Sequence, residues 1–213
     1  MSKSESIPAP AVRRLSLYLR QLEVFHDESR RTVSSSELGK TLGLSDAQVR
    51  KDLAYFGQFG HPGIGYRVPE LIQRIRSILG TDRVSRVLLV GAGNLGRALI
   101  AFRGFTKRGF ELAAVFDNDS TKIGQWTDGP RRIRIQPLAD MNTTVRKHSI
   151  RVGILAVPAA AAQQVADEMV TAGIRGILNF APVALQVGPD TQVASVDLAI
   201  HLEQLSFHVS GSA

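Results

Sequence analysis

The stretch VLLVGAGNLGRAL, residues 87–99, restricts the fold more than any other part of the chain. Val87–Val90 reads as a short buried strand, Gly91, Gly93 and Gly96 as a glycine-rich turn, and Asn94 onward as the opening of a helix. Strand, G-x-G-x-x-G and helix in that order form a dinucleotide-binding fingerprint. The first glycine makes the tight turn, the second admits a pyrophosphate, and the third lets helix and strand pack closely. Ala92, Asn94 and Leu95 complete a turn whose free backbone N–H groups, at a helix N-terminus, suit phosphates. A second strand, ELAAVF (111–116), ends in Asp117, about 20 residues beyond the last glycine, where such folds hold the ribose hydroxyls of NAD. Asp119 adds a carboxylate that repels a 2′-phosphate, and no arginine follows at once, so NAD(H) is favoured over NADP(H). The plainer alternative is a glycine turn in an α/β domain that binds nothing.

The pattern continues as alternating strands and helices. Expected are a helix over 94–105, a strand over 132–136, a helix to about Lys147, and a buried strand RVGILAVP (151–158). Val157 and Pro158 then fall at a strand's C-terminal edge, which lines the ligand crevice of doubly wound sheets. An alanine-rich helix over 159–172 stops at Gly173, and the strand IRGILNF (174–180) runs into Asn179, Phe180, Ala181 and Pro182. Such alternation predicts a Rossmann-type parallel sheet covered on both faces. His148 is the sole histidine of this region and falls in a connection, with no cysteine and no tyrosine–lysine pair near the crevice. A dehydrogenase needs an acid/base or electrophilic group beside the nicotinamide. The domain therefore reads as built to bind a dinucleotide, not to turn it over.

The first 80 residues are of another kind. Leu15, Tyr18, Leu19 and Leu22 make one apolar helix face, with Arg13, Arg14 and Arg20 off it. Ser34 with Glu37, and Ser45 with Gln48, have capping-box spacing, and Gly43 separates the two helices they open. Two short capped helices joined by a tight turn read as a helix-turn-helix. In the helix from Asp46 to about Phe56, Val49, Leu53 and Phe56 face the core. Ala47, Lys51 and Ala54 lie opposite, flanked by Gln48 and Tyr55, with Arg50 at the border. Small residues beside a cation and an amide suit a helix lying in a major groove, although an ordinary amphipathic surface helix has a similar wheel. FGQFGHPGIGYRVPEL (56–71), with four glycines, then reads as a hairpin or loop, a wing carrying His61 and Arg67. A helix over 69–79 closes a winged-helix DNA-binding domain.

Net charge is +7, and residues 1–80 hold twelve Lys/Arg against eight Asp/Glu, so the excess is denser there. With no cysteine, disulfides and thiolate metal sites are excluded, and no metal is expected. No apolar run reaches the ~20 residues of a membrane helix, and MSKSESIPAP has no apolar leader core, so a cytoplasmic location is expected. At the other end TQVASV suggests a last strand, and Asp197 caps a helix striped with Leu198, Leu202 and Leu205. That stripe packs either on its own domain or on a second subunit.

Together QVRKDLAYFGQFG (48–60), GAGNLGRAL (91–99), FDND with KIG (116–124), AVPAAAAQ (156–163), GIRGILNFAPV (173–183) and SVDLAIHLEQLSF (195–207) resemble Rex, the family of NADH-responsive transcriptional repressors. The resemblance implies three parts: a winged-helix domain (1–80), a Rossmann NAD(H)-binding domain (81–194) and a dimerisation helix (195–213) swapped onto the partner. It implies a homodimer that binds palindromic double-stranded operator DNA when NADH is scarce and leaves it when NADH binds. Implied contacts to DNA come from Ser45, Ala47, Gln48, Arg50, Lys51, Tyr55, His61 and Arg67. Implied contacts to NADH or NAD+ come from Gly91, Ala92, Gly93, Asn94, Leu95, Gly96, Asp117, Asp119, Lys122, Val157, Pro158, Asn179, Phe180 and Pro182. It also implies a switch in which Arg20 pairs across the dimer with Asp197. Two positions depart from the family. His61-Pro62 stands where relatives commonly have basic wing residues, which leaves Arg67 as the substitute for minor-groove reading. Phe102 stands where they commonly have tyrosine, so the switch is expected to work with weaker discrimination. The runner-up is an NAD-dependent oxidoreductase with a small accessory domain, which lacks its catalytic group. A CoA- or nucleotide-binding ligase module shares the strand order, but Asp117 argues against it.

Overall fold

Burial of one helical stripe begins the structure. In the computed structural model, which describes residues 7–60 and 63–210, α1 (Ala9–Asp27) buries Leu15, Tyr18, Leu19 and Leu22, the face its periodicity predicts. Two further helices complete the helix-turn-helix, α2 (Ser35–Leu42) and α3 (Asp46–Ala54). The capping box of α2 is complete: Ser34 Oγ accepts from Glu37 N at 3.1 Å, and Glu37 accepts from Ser34 N at 2.8 Å. Gly43 ends α2 at φ +68°, a left-handed conformation that favours glycine. The α3 cap is only half a box. Ser45 Oγ accepts from Gln48 N at 3.1 Å, but the Gln48 side chain, instead of accepting from Ser45 N, donates its Nε2 to the Asp52 carboxylate.

Among the described residues, the strand after α3 pairs with an earlier strand and not within its own segment. β2 (Tyr66–Arg67) pairs antiparallel with β1 (Thr32–Val33), a two-residue strand between α1 and α2 that the sequence does not announce. Gly65 sits against this seam at φ +81°, and a Cβ there would lie 2.5 Å from the Val33 carbonyl oxygen. α4 (Val68–Ile78) closes the unit, and Leu71 and Ile75 join Leu15, Leu22, Leu38 and Leu53 in one core.

The chain divides into two compact units, 1–83 and 84–213. The second holds β3 (Ser85–Val90), α5 (Asn94–Ala101), α6 (Gly104–Lys107), β4 (Phe110–Asp117), β5 (Ile135–Pro137), α7 (Met141–His148), β6 (Val152–Leu155), α8 (Ala159–Ala172), β7 (Gly176–Asn179), β8 (Gln192–Ser195) and α9 (Leu198–Ser210). The six strands run β5-β4-β3-β6-β7-β8, every neighbouring pair parallel. Alternation along β3 shows both faces covered: Leu88 and Val90 pack with α7 and α8, while Leu89 packs with Ile100 of α5.

Two expectations change. The helix expected over 94–105 stops at Ala101, and Phe102 is extended before α6 begins. The Phe102 ring folds back over Gly104, where a Cβ would lie 2.3 Å from a ring carbon, and meets Phe105 edge-on at 5.1 Å. The strand expected over 132–136 is shorter, because Thr127 Oγ1 and a bridge between Trp126 and Arg134 hold the preceding residues in a loop. Among the described residues no helix is long and apolar enough to cross a membrane.

Candidate nucleotide cleft and nucleic-acid interface

Strand order reverses between β3 and β6, and a crevice opens there beyond the strands' C-terminal ends, as doubly wound sheets require. It encloses about 270 Å³ and is lined by Val90, Gly91, Gly93, Asp117, Asn118, Asp119, Lys122, Leu138, Ala156, Val157, Pro158, Ala161 and Val165. The glycines are there for want of room. A Cβ on Gly91 would lie 2.3 Å from the Ala156 carbonyl oxygen, and one on Gly96 would collide with the Gly91 carbonyl oxygen. Gly93 has open space instead, which leaves its backbone approachable.

Asp117 ties the crevice together. Its carboxylate accepts from Ala92 N at 2.7 Å, from Asp119 N at 2.9 Å and from Lys122 Nζ at 3.2 Å. Burial alone would raise its pKa, but the two N–H donors and the ammonium outweigh burial and hold it below the usual carboxylate range. Lys122 also lies 3.4 Å from Asp119. The site is thus an anionic edge for hydroxyls beside backbone N–H groups for phosphate, with apolar walls from Leu138, Val157 and Val165.

Of the residues assigned to the cofactor, Gly91, Gly93, Asp117, Asp119, Lys122, Val157 and Pro158 line this crevice together. Ala92 and Gly96 are buried behind the turn, Asn94 opens α5, and Leu95 is exposed on it. Asn179 lies outside the lining: fully buried, it donates to Val183 O at 2.9 Å and accepts from Ala181 N at 2.9 Å, fixing the turn that carries Phe180 and Pro182. Leu138, Ala161 and Val165 were not anticipated; the signal was their position just past a strand or on the next helix's inner face.

On the first unit, Ser45, Ala47, Arg50, Lys51 and Arg67 are exposed, and Gln48 and Tyr55 are half-buried. Arg50 donates to Asp46 at 2.7 Å and to Ser35 at 3.1 Å, and Arg67 to Glu70 at 3.1 Å. His61 lies outside the described residues. Arg20 is exposed on α1. Asp197 accepts from Ala199 N at 2.9 Å and Ile200 N at 3.3 Å, capping α9, and Phe102 is 56% exposed. Sequence reading missed Asp52. It is fully buried on α3, yet it carries a charge on the core-facing side of the wheel, which calls for a partner.

Fold and crevice define a class: a nucleotide-binding parallel-sheet unit that follows a helix-turn-helix unit. Comparison with known proteins agrees. Residues 6–54 match the family "Putative DNA-binding protein N-terminus" and residues 82–183 the "CoA binding domain" family. The redox-sensing transcriptional repressor Rex of Carboxydothermus hydrogenoformans is 47% identical over 207 residues, covering 97% of this chain and 98% of the relative. That of Brevibacillus brevis is 43% identical, covering 99% and 100%. The crystal structure of RSP in complex with β-NAD+ and operator DNA superposes with a TM-score of 0.90 at 34% identity, covering 97% of this chain and 94% of RSP. RSP with β-NADH gives 0.84 at 32% identity, covering 97% and 96%. The chain belongs to the Rex family of redox-sensing transcriptional repressors. Membership in a family of regulators, not the lack of a catalytic residue alone, sets aside the oxidoreductase reading.

Proposed function

We propose that this chain is an NADH-responsive repressor, which binds a palindromic operator as a homodimer and leaves it when NADH fills the crevice at the β3/β6 reversal. The single observation carrying this is the near full-length similarity to Rex proteins, with RSP known in complex with both β-NAD+ and operator DNA. On that reading α3 enters the major groove. Lys51 supplies positive charge to a phosphate or base, while Ala47 and Ala54 let the helix lie close. The dinucleotide's ribose hydroxyls meet Asp117, which stays ionised, and its pyrophosphate meets the turn at Gly91–Gly96. The nicotinamide half lies toward Pro158 and the Asn179–Pro182 turn.

The dimer reading is supported by α9. Leu202, Leu205, Phe207 and Val209 are each more than 60% exposed, and no residue of the helix is buried. Leaving such a stripe in water forgoes about 1.5–3 kcal/mol per large side chain, which a partner subunit recovers by taking the helix. Arg20 would then pair with the partner copy of Asp197 in the DNA-bound state, and NADH would break that pair. NADH can shift this equilibrium only as far as it prefers the released state. Phe102 has no hydroxyl with which to report the nicotinamide's state, so its switch discriminates less than one with tyrosine. A gel shift on a palindromic A·T-rich duplex tests the function: NADH, and not NAD+, should dissolve the complex. A complex indifferent to both would refute it.

A further inference from the structure

The buried carboxylate of Asp52 joins two helices through a single group. It accepts two hydrogen bonds from Arg14, one of them at 2.8 Å, one from Tyr18 Oη at 2.6 Å and one from Gln48 Nε2 at 2.7 Å. These four donors match the roughly four lone-pair positions of a carboxylate. Arg14 and Tyr18 stand one turn apart on α1, Gln48 and Asp52 one turn apart on α3. Arg14 lies off the apolar stripe of α1, and its guanidinium reaches inward to make the compensating charge.

The consequence falls on Gln48. A carboxylate only accepts, so Gln48 must point its nitrogen, not its oxygen, at Asp52; the flipped amide would set two oxygens against each other. One N–H is consumed. What remains is the second N–H and Oε1, a donor and an acceptor side by side on a half-exposed side chain near the start of α3. That pair complements adenine N7 and the adenine 6-amino group in a major groove.

We propose that Asp52 is a positioning residue that fixes the Gln48 amide as an adenine-reading pair. The inference rests on the DNA-binding reading above. Gln48 therefore specifies one base pair, and Asp52 governs that same base pair without touching DNA.

The test is selection of duplexes from a random-centre pool by the full-length protein, followed by affinities at fixed salt for the selected duplex, single-base variants and a scrambled duplex. Gln48→Ala should cut discrimination at one A·T pair by about 10- to 100-fold. Asp52→Asn should cut it at the same pair, the double variant should lose no more, and affinity for the scrambled duplex should stay within about twofold. Tyr18→Phe, which leaves the Arg14 pair, should give a smaller loss at that pair and decides the matter if Asp52→Asn does not fold. Equal loss on selected and scrambled duplexes, or loss at a different pair for Asp52→Asn, Tyr18→Phe and Gln48→Ala, overturns the proposal. Failure of the wild-type protein to select any duplex would instead refute DNA binding itself.

Discussion

Gly91→Ala should produce a repressor that holds DNA but no longer hears NADH. Gly91 has φ +99°, where a non-glycine residue costs about 1–3 kcal/mol. Its Cβ would also lie 2.3 Å from the Ala156 carbonyl oxygen, 0.7 Å inside the 3.0 Å below which neighbours must move. The neighbour is backbone at the end of β6, so it cannot swing aside as a side chain would, and such overpacking adds about 1–3 kcal/mol. A total near 4 kcal/mol lowers the melting temperature of the second unit by about 8–16 °C. Relief comes from spreading Gly91 from Ala156, the two lips of the crevice. That displaces the N–H groups meant for pyrophosphate, and each charge-assisted bond lost is worth about 1.5–3 kcal/mol, or about 10- to 100-fold in affinity. The first unit has a core of its own, so operator affinity should change by less than about threefold. NADH fluorescence titration and gel shift read the two halves separately. An NADH midpoint within twofold of wild type would refute the reasoning.

Other substitutions probe other links. Asp117→Asn keeps an acceptor but removes the charge opposite Lys122, and should weaken NADH binding about tenfold while narrowing the preference over NADPH, measured by competitive titration. Lys51→Ala should lower the slope of log affinity against log salt by about 1 if Lys51 meets phosphate, or relax one base preference if it meets a base; no change in either would remove it from the interface. Asp52 has a folded pKa below its unfolded value of about 3.9. Its contribution is therefore complete above about pH 4 and is lost as pH falls through the folded value. Asp52→Asn should flatten the acid limb of the stability curve, and an unchanged limb would contradict an ionised Asp52. Phe102→Tyr should sharpen release by NADH over NAD+; an unchanged ratio would count against a role for position 102.

Much of this was legible because local chemistry and global fold agree. The capping pairs at Ser34 and Ser45, the glycine at position 43 and the spacing from Gly96 to Asp117 are short-range signals that single segments carry. What escaped is what distant segments supply. β1 is two residues long and exists only because Tyr66–Arg67 returns to it. The break at Phe102 depends on its ring lying over Gly104. Gln48 has the spacing of a capping-box partner, but Asp52 offers its side chain a charged site that also binds Arg14 and Tyr18 on another helix. Asn179, at a strand end, is fully buried and hydrogen-bonds the backbone of the turn that follows it. Pattern marks a strand end as ligand-facing but does not say which side chains are spent on the backbone.

The central claim is that the crevice between β3 and β6 governs the DNA contact of a separate unit. Fluorescence anisotropy of a labelled operator, at fixed total nicotinamide dinucleotide and varied NADH/NAD+ ratio, tests it most directly. Full binding is expected at low ratio and release as NADH rises, with Gly91→Ala bound throughout. Operator occupancy independent of the ratio in the wild-type protein would contradict it.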